Sequence, residues 1–101
     1  MHKQCFEQKK DASLFLKELR AKIDKIDDEI LTLIEQREKT VLEIAATKRE
    51  VSANPKYFVP KREQQIVDRI KAKYKGCGDF NRLEKAFTAI IYHCRLLQEE
   101  V

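Results

Sequence analysis

The chain has 101 residues, which is enough for one domain with a single hydrophobic core and excludes a two-domain enzyme. Charged residues make up 38% of it and apolar residues 43%, a balance too hydrophobic for a disordered polyelectrolyte and typical of amphipathic helices. Two glycines and two prolines are too few for the turns of a strand-rich fold, so we predict an all-α protein.

The net charge of +4 arises in the second half of the chain. Residues 1–50 hold 11 basic and 11 acidic side chains, whereas residues 51–101 hold 10 and 6. A localised positive field suits an anionic ligand or a nucleic acid. Interleaved lysine and glutamate on a helix is, however, more often only a solvated face.

Cysteine usage and hydropathy indicate the compartment. The three cysteines, Cys5, Cys77 and Cys94, have neither the number for a disulfide framework nor the spacing of a zinc site, so we expect no metal. The N-terminus lacks the apolar run of a signal peptide, and no run approaches membrane-spanning length. We therefore expect a soluble cytoplasmic protein.

The first predicted helix is unusually long. Residues 1–12 are polar and are expected to be a frayed extension before a single helical domain at residues 13–101, with Asp11 or Ser13 as the helix N-cap. From Leu16 to Val51, apolar residues recur at spacings of three and four. At about 39 residues from Ser13, the helix spans about 58 Å, whereas a compact 100-residue domain has a radius of gyration of about 13 Å. A second copy should therefore pack along it, in an intertwined homodimer.

Two shorter helices follow. Asn54-Pro55 through Pro60 predicts a linker, because proline disfavours helix at the preceding residue and suits a first helical turn. We predict the second helix from about Lys61 to Lys75, ended by Gly76-Cys77-Gly78. Asp79 is the predicted N-cap of a third, heptad-patterned helix. The prediction is thus a three-helix protomer.

Two cations on the first helix lie where apolar residues are expected. Arg37 has Leu33 and Val41 as helical neighbours, and Lys48 lies eleven residues later on the same face. Neither has an intrahelical counter-charge. Lys39, by contrast, has Glu35 and Glu43 in reach, as an ordinary surface lysine does.

The other two helices also carry polar residues on their inner faces, namely Arg62, Glu63 and Gln98. Burying an unpaired charge costs several kcal/mol, so such positions need a cause. One possibility is that Arg37 and Lys48 pair with Glu63 or extend to the surface along their alkyl stems. The alternative is a pocket with two or three cations that binds a small dianion.

Arg20 differs from this set in direction. It lies about 25 Å along the helix from Arg37 and roughly 100° around it, so it would reach the partner's site more easily than its own in an antiparallel dimer. The alternative is a surface pair with Asp24.

No catalytic triad, phosphate loop or carboxylate dyad is evident, and His93 is expected to be exposed. An enzyme of this kind would work by positioning and electrostatics.

Three stretches carry a family resemblance: LRAKIDKIDDEILTLIEQREKTVLEIAATK, KREQQIV and IIYHCRLLQ. Together they resemble the all-helical class of chorismate mutases across about residues 14–101. The resemblance implies an intertwined homodimer of three-helix protomers that converts chorismate to prephenate by a pericyclic rearrangement, without a cofactor.

The resemblance also implies roles for particular residues. Arg37 and the partner's Arg20 would bind the substrate carboxylates, while Lys48 and Gln98 would contact the ether oxygen. Glu63 would accept a hydrogen bond from the ring hydroxyl, and Arg62 would lie at the pocket edge. Two substrate-binding positions depart from the common family pattern, because Val59 stands where Asp is frequent and Cys94 where Ser is frequent. Both departures bear on substrate affinity more than on reaction type.

Other functions fit part of the pattern. An isochorismate-pyruvate lyase is similar in fold and uses a similar cationic pocket. Arg62, Glu63 and Gln98, however, favour the mutase. A helical interaction module or a basic nucleic-acid binder would carry its cations on an exposed face with interleaved aromatic residues. The unexplained cations here are on inner faces, so we expect no nucleic-acid or membrane partner.

Overall fold

The computed structural model describes residues 11–101 and contains three helices in this range. Helix α1 runs Ala12–Val51, α2 runs Pro60–Lys73, and α3 runs Phe80–Glu100. The described residues include no strand. The all-α prediction with one long N-terminal helix is therefore confirmed. Most of the expected polar extension, residues 1–10, lies outside the described residues.

The helix ends follow the local sequence with one exception. Pro60 begins α2, and Asp79 caps α3 by accepting a hydrogen bond from the Asn81 backbone N–H at 2.9 Å. The exception is the end of α2, which comes at Lys73, before the glycines. The helix therefore ends two residues before the predicted Lys75, with Tyr74 as its C-cap, and neither Gly76 nor Gly78 has a positive φ.

The glycines instead allow a close approach by Tyr74. Its phenol oxygen accepts a hydrogen bond from the Gly78 backbone N–H at 2.9 Å. A Cβ on Gly76 would lie 2.5 Å from a ring carbon of Tyr74, so no side chain fits there without movement of the ring. The ring also packs on Phe80, with 5.7 Å between the ring centroids. The connection between α2 and α3 is thus built around one aromatic side chain.

The structure divides into two compact units, one up to Leu33 and the other comprising Ile34–Val101. The described part of the first unit consists of the N-terminal portion of α1. Between Leu14 and Leu33, nine large apolar side chains have exposed fractions of 38% to 62%. Exposed apolar surface of this extent is typical of an interaction face.

The second unit contains the hydrophobic core. Its buried apolar side chains come from all three helices and are Val41, Ala45, Val67, Ile91 and Cys94. His93 of α3 also contacts Glu38 of α1, with 2.6 Å between Nε2 and Oε2. His93 is exposed, as predicted. Among the described residues, no helix has the length and hydropathy to cross a membrane.

Candidate active site

A pocket with a volume of about 150 Å³ lies within the second unit, between the three helices and the linker. Seven of the eight predicted site residues line it. They are Arg37, Lys48, Val59, Arg62, Glu63, Cys94 and Gln98. Arg20 does not line this pocket and is exposed in the first unit. The structure thus brings together polar side chains that are far apart in sequence.

Helix α1 contributes Arg37 and Lys48 to the pocket, separated by Val41 and Ile44 on the same helical face. Both cations are half-buried. Lys48 donates a hydrogen bond from Nζ to the carbonyl oxygen of Lys56 at 2.8 Å. Within residues 11–101, neither Arg37 nor Lys48 forms an ion pair with a carboxylate. Their charges are therefore available to an anionic ligand.

Glu63 of α2 is paired, but with neither cation of α1. Its Oε2 accepts a hydrogen bond from Nε of Arg95 on α3 at 3.0 Å. Of the two possibilities left open by the sequence, the network that joins Glu63 to Arg37 and Lys48 is therefore absent from the described residues. The physical reason is that Arg95 provides a counter-charge for Glu63 on the adjacent helix α3.

Two polar lining residues, Arg95 and Tyr57, were not predicted from the sequence. Arg95 follows Ile91 by four positions and precedes Gln98 by three, so helical spacing alone could have identified it. No such signal existed for Tyr57, because it lies in the irregular linker. Its ring lies beneath the Lys48 ammonium, with 5.9 Å from Nζ to the ring centroid.

The bottom of the pocket is formed by Cys94 and Gln98 of α3. Cys94 has an exposed fraction of 1% and Gln98 of 8%. The Gln98 amide nitrogen donates to the Cys94 carbonyl oxygen at 3.4 Å, a long hydrogen bond. Its Oε1 is buried and has no partner among the described residues. A buried amide that is incompletely paired remains free to bind a ligand.

The rim is formed by Arg62 and Val59, which are both exposed. Arg37, Lys48 and Arg95 join Arg62, so the lining within residues 11–101 carries four cations against the single carboxylate of Glu63. This excess of positive charge suits a small ligand with two negative charges. In the described part of the chain, no three His, Cys, Asp or Glu side chains are grouped closely enough to hold a metal ion.

Comparison with known proteins agrees with this geometry. Residues 19–99 match the family model of chorismate mutase type II. The chorismate mutase of Methanocaldococcus jannaschii is 36% identical over 89 residues, which cover 84% of this chain and 85% of that protein. The crystal structure of chorismate mutase from Helicobacter pylori in complex with prephenate superimposes with a TM-score of 0.74 at 32% identity. That match covers 85% of this chain and 91% of the other.

Longer relatives match as well. The bifunctional chorismate mutase/prephenate dehydratase of Aquifex aeolicus is 37% identical over 90 residues. The match covers 85% of this chain but 24% of that protein. The chain therefore spans about a quarter of the length of these bifunctional relatives.

Proposed function

The chain belongs to the chorismate mutase type II family, and from this membership we propose that it catalyses the rearrangement of chorismate to prephenate. The observation that carries the proposal is the pocket in which Arg37 and Lys48 have no carboxylate partner within residues 11–101, while Glu63 is paired with Arg95. Chorismate is a small dianion, so it supplies the negative charges that this pocket lacks. The solved relative from Helicobacter pylori holds prephenate.

Lys48 and Gln98 stabilise the transition state electrostatically. As the C–O bond breaks, negative charge grows on the ether oxygen, and donors fixed beside that atom bind the transition state more strongly than the substrate. Lys48 has three N–H donors, of which one is used by the Lys56 carbonyl. The Gln98 amide is held at the bottom of the pocket by its burial.

Arg37 holds a substrate carboxylate and thereby restricts the flexible side chain of the substrate. The substrate side chain is then folded over the ring when the substrate binds. Its loss of conformational freedom therefore occurs on binding and does not add to the activation barrier. Arg62 at the rim contributes further positive charge, and Glu63 accepts a hydrogen bond from the ring hydroxyl. Val59 and Cys94 complete the walls of the pocket. The reaction needs no cofactor.

We also propose that the protein is an intertwined homodimer in which Arg20 is donated to the partner's pocket. The nine exposed apolar side chains between Leu14 and Leu33 support this proposal, because a second copy would cover them. Arg20 lies on this same portion of α1 and does not line the pocket of its own chain. Residues 13–101 would then act as one domain in the dimer.

A cytoplasmic location is proposed on the basis of the free thiols of Cys77 and Cys94. Cys77 is exposed, and a reducing compartment would keep it unpaired.

The decisive experiment is an assay of chorismate consumption by the purified protein, with identification of the product. Formation of prephenate is expected. The same preparation is then offered isochorismate, which the competing lyase would convert to pyruvate and salicylate. Pyruvate release from isochorismate, with chorismate left unchanged, would replace the mutase by the lyase. No reaction with either substrate would refute an enzymatic role for the pocket.

A further inference from the structure

Arg95 lines the pocket but has no role in the mechanism proposed above. Its side chain is held on several sides. Nε donates to Glu63, while the guanidinium carbon lies 4.3 Å from the ring centroid of Phe58 and 5.1 Å from that of Tyr92. A cation stacked on two aromatic faces and paired with a carboxylate has little freedom to move. Arg95 is therefore a fixed positive charge beside Glu63.

Glu63 needs such a restraint because of its neighbours. Among the residues that the structure describes, it is the only carboxylate in the pocket lining, which also contains Arg37 and Lys48. A carboxylate that was free to turn toward these cations would neutralise them and compete with an anionic ligand. Among the described residues this does not occur, because Arg95 holds Oε2 at 3.0 Å. Arg95 thus keeps the cations of α1 available.

The second oxygen of Glu63 has a limited choice of partners on the ligand. An ionised carboxylate only accepts hydrogen bonds. The dianion of the proposed function carries two carboxylates, which cannot donate, and one ring hydroxyl, which can. Fixing Oε2 on Arg95 leaves Oε1 to receive that hydroxyl.

We propose that Arg95 is a positioning residue that holds the Glu63 carboxylate away from Arg37 and Lys48 and presents it to the hydroxyl of the ligand. This proposal rests on the proposed function, because it assumes a dianion that carries one hydroxyl donor. It assigns Arg95 no contact with the reacting atoms. We therefore expect that replacing Arg95 weakens the binding of the substrate and of the transition state by similar factors.

The test is a double-mutant cycle on prephenate binding, measured by titration calorimetry, together with steady-state turnover of chorismate. The single variants are Arg95→Met, which keeps an apolar side chain against the rings, and Glu63→Gln. Arg69→Met on the exposed side of α2 is the matched control and should leave binding unchanged. Arg95→Met is expected to weaken prephenate binding by about 10- to 100-fold, the range for a hydrogen bond to a charged group. KM should rise by a similar factor, with kcat within about threefold of the wild type.

The distinguishing result is that Glu63→Gln changes prephenate affinity in opposite directions in the wild-type and Arg95→Met backgrounds. In the wild type, Glu63→Gln should weaken binding, because the amide is a poorer acceptor for the hydroxyl. In the Arg95→Met background the same substitution should strengthen binding, because it removes a carboxylate that competes for Arg37 and Lys48. Losses that simply add would overturn the proposal. So would a fall in kcat at unchanged KM, which would indicate contact with the reacting atoms.

Two further measurements keep the result interpretable. Arg95→Lys keeps the charge and should bind prephenate nearly as tightly as the wild type. A folded lysine variant that has lost this affinity overturns the proposal, whether or not the methionine variant folds. If the wild-type protein binds prephenate but does not consume chorismate, the proposed reaction is refuted. The opposite effects of Glu63→Gln on prephenate affinity in the two backgrounds still test the role of Arg95. Wild-type protein that does not bind prephenate overturns both.

Discussion

Replacing Lys48 with alanine tests whether the half-buried ammonium stabilises charge that develops during the reaction. Loss of one donor of this kind typically costs about 10²–10³ in turnover. We expect kcat for chorismate to fall by this factor, because Lys48 lines the pocket and no carboxylate within residues 11–101 neutralises it.

The structure separates this effect from a loss of stability. The only side-chain hydrogen bond that Lys48 makes in the described range goes to the Lys56 carbonyl, and a bond of this kind contributes about 0.5–3 kcal/mol to folding. A folded domain has a stability of roughly 5–15 kcal/mol. Even the upper limit therefore leaves Lys48→Ala folded, and a hundredfold loss of kcat cannot arise from unfolded protein.

The assay follows chorismate absorbance under saturating substrate, alongside urea unfolding of each variant. Lys39→Ala is the matched control, because Lys39 lies on the same helix, is exposed and does not line the pocket. It should retain kcat within about twofold, since an exposed lysine contributes less than about 1 kcal/mol. Equal effects of the two substitutions, or a silent Lys48→Ala, would refute the electrostatic role.

Four other predictions follow from the same structure. The protein should sediment as a dimer of about 24 kDa, twice the 11.9 kDa chain, and a folded monomer would contradict the proposed assembly. Unfolding Arg20→Ala and Lys48→Ala variants together and refolding them should restore roughly a quarter of wild-type activity, since half of the dimers are mixed and each has one intact site. If mixed dimers form but activity does not recover, the shared site is refuted and Arg20 is left as a surface pair with Asp24. Gln98→Ala should reduce kcat less than Lys48→Ala because the lost donor is neutral, and a larger loss would contradict this order. Gly76→Ala should lower the free energy of unfolding by about 1–3 kcal/mol, the cost of overpacking, measured by urea denaturation; an unchanged midpoint would show that Tyr74 moves freely.

The sequence was sufficient to predict the helices and most of the pocket. Spacing of apolar residues identified the three helices, and the same spacing marked Arg37 and Lys48 as cations on an inner face. Seven of the eight predicted site residues line one pocket. Their individual roles stay predictions.

The spacing of residues in the sequence could not predict which charged side chains pair between the helices. Glu63 shares the described pocket lining with four cations, and its pairing with Arg95 depends on the rotation of α3 about its axis. That rotation depends on side-chain packing, which periodicity does not encode. The end of α2 comes two residues before the predicted Lys75, and the glycines after it accommodate the ring of Tyr74, a contact that turn propensities do not describe.

The unpaired charges of the pocket oppose folding. Within residues 11–101, Arg37 and Lys48 are half-buried without a carboxylate partner, and the buried Oε1 of Gln98 lacks a hydrogen bond. The empty protein is therefore less stable than its core alone would allow, and any dianion that binds the folded chain shifts the unfolding equilibrium by mass action. Neutral replacements at Arg37 should accordingly raise the melting temperature while they abolish turnover, the trade-off between stability and activity that is common at binding sites. Heat tolerance and catalysis are thus opposed at these positions, and selection for either one alone would change the residues that the other requires.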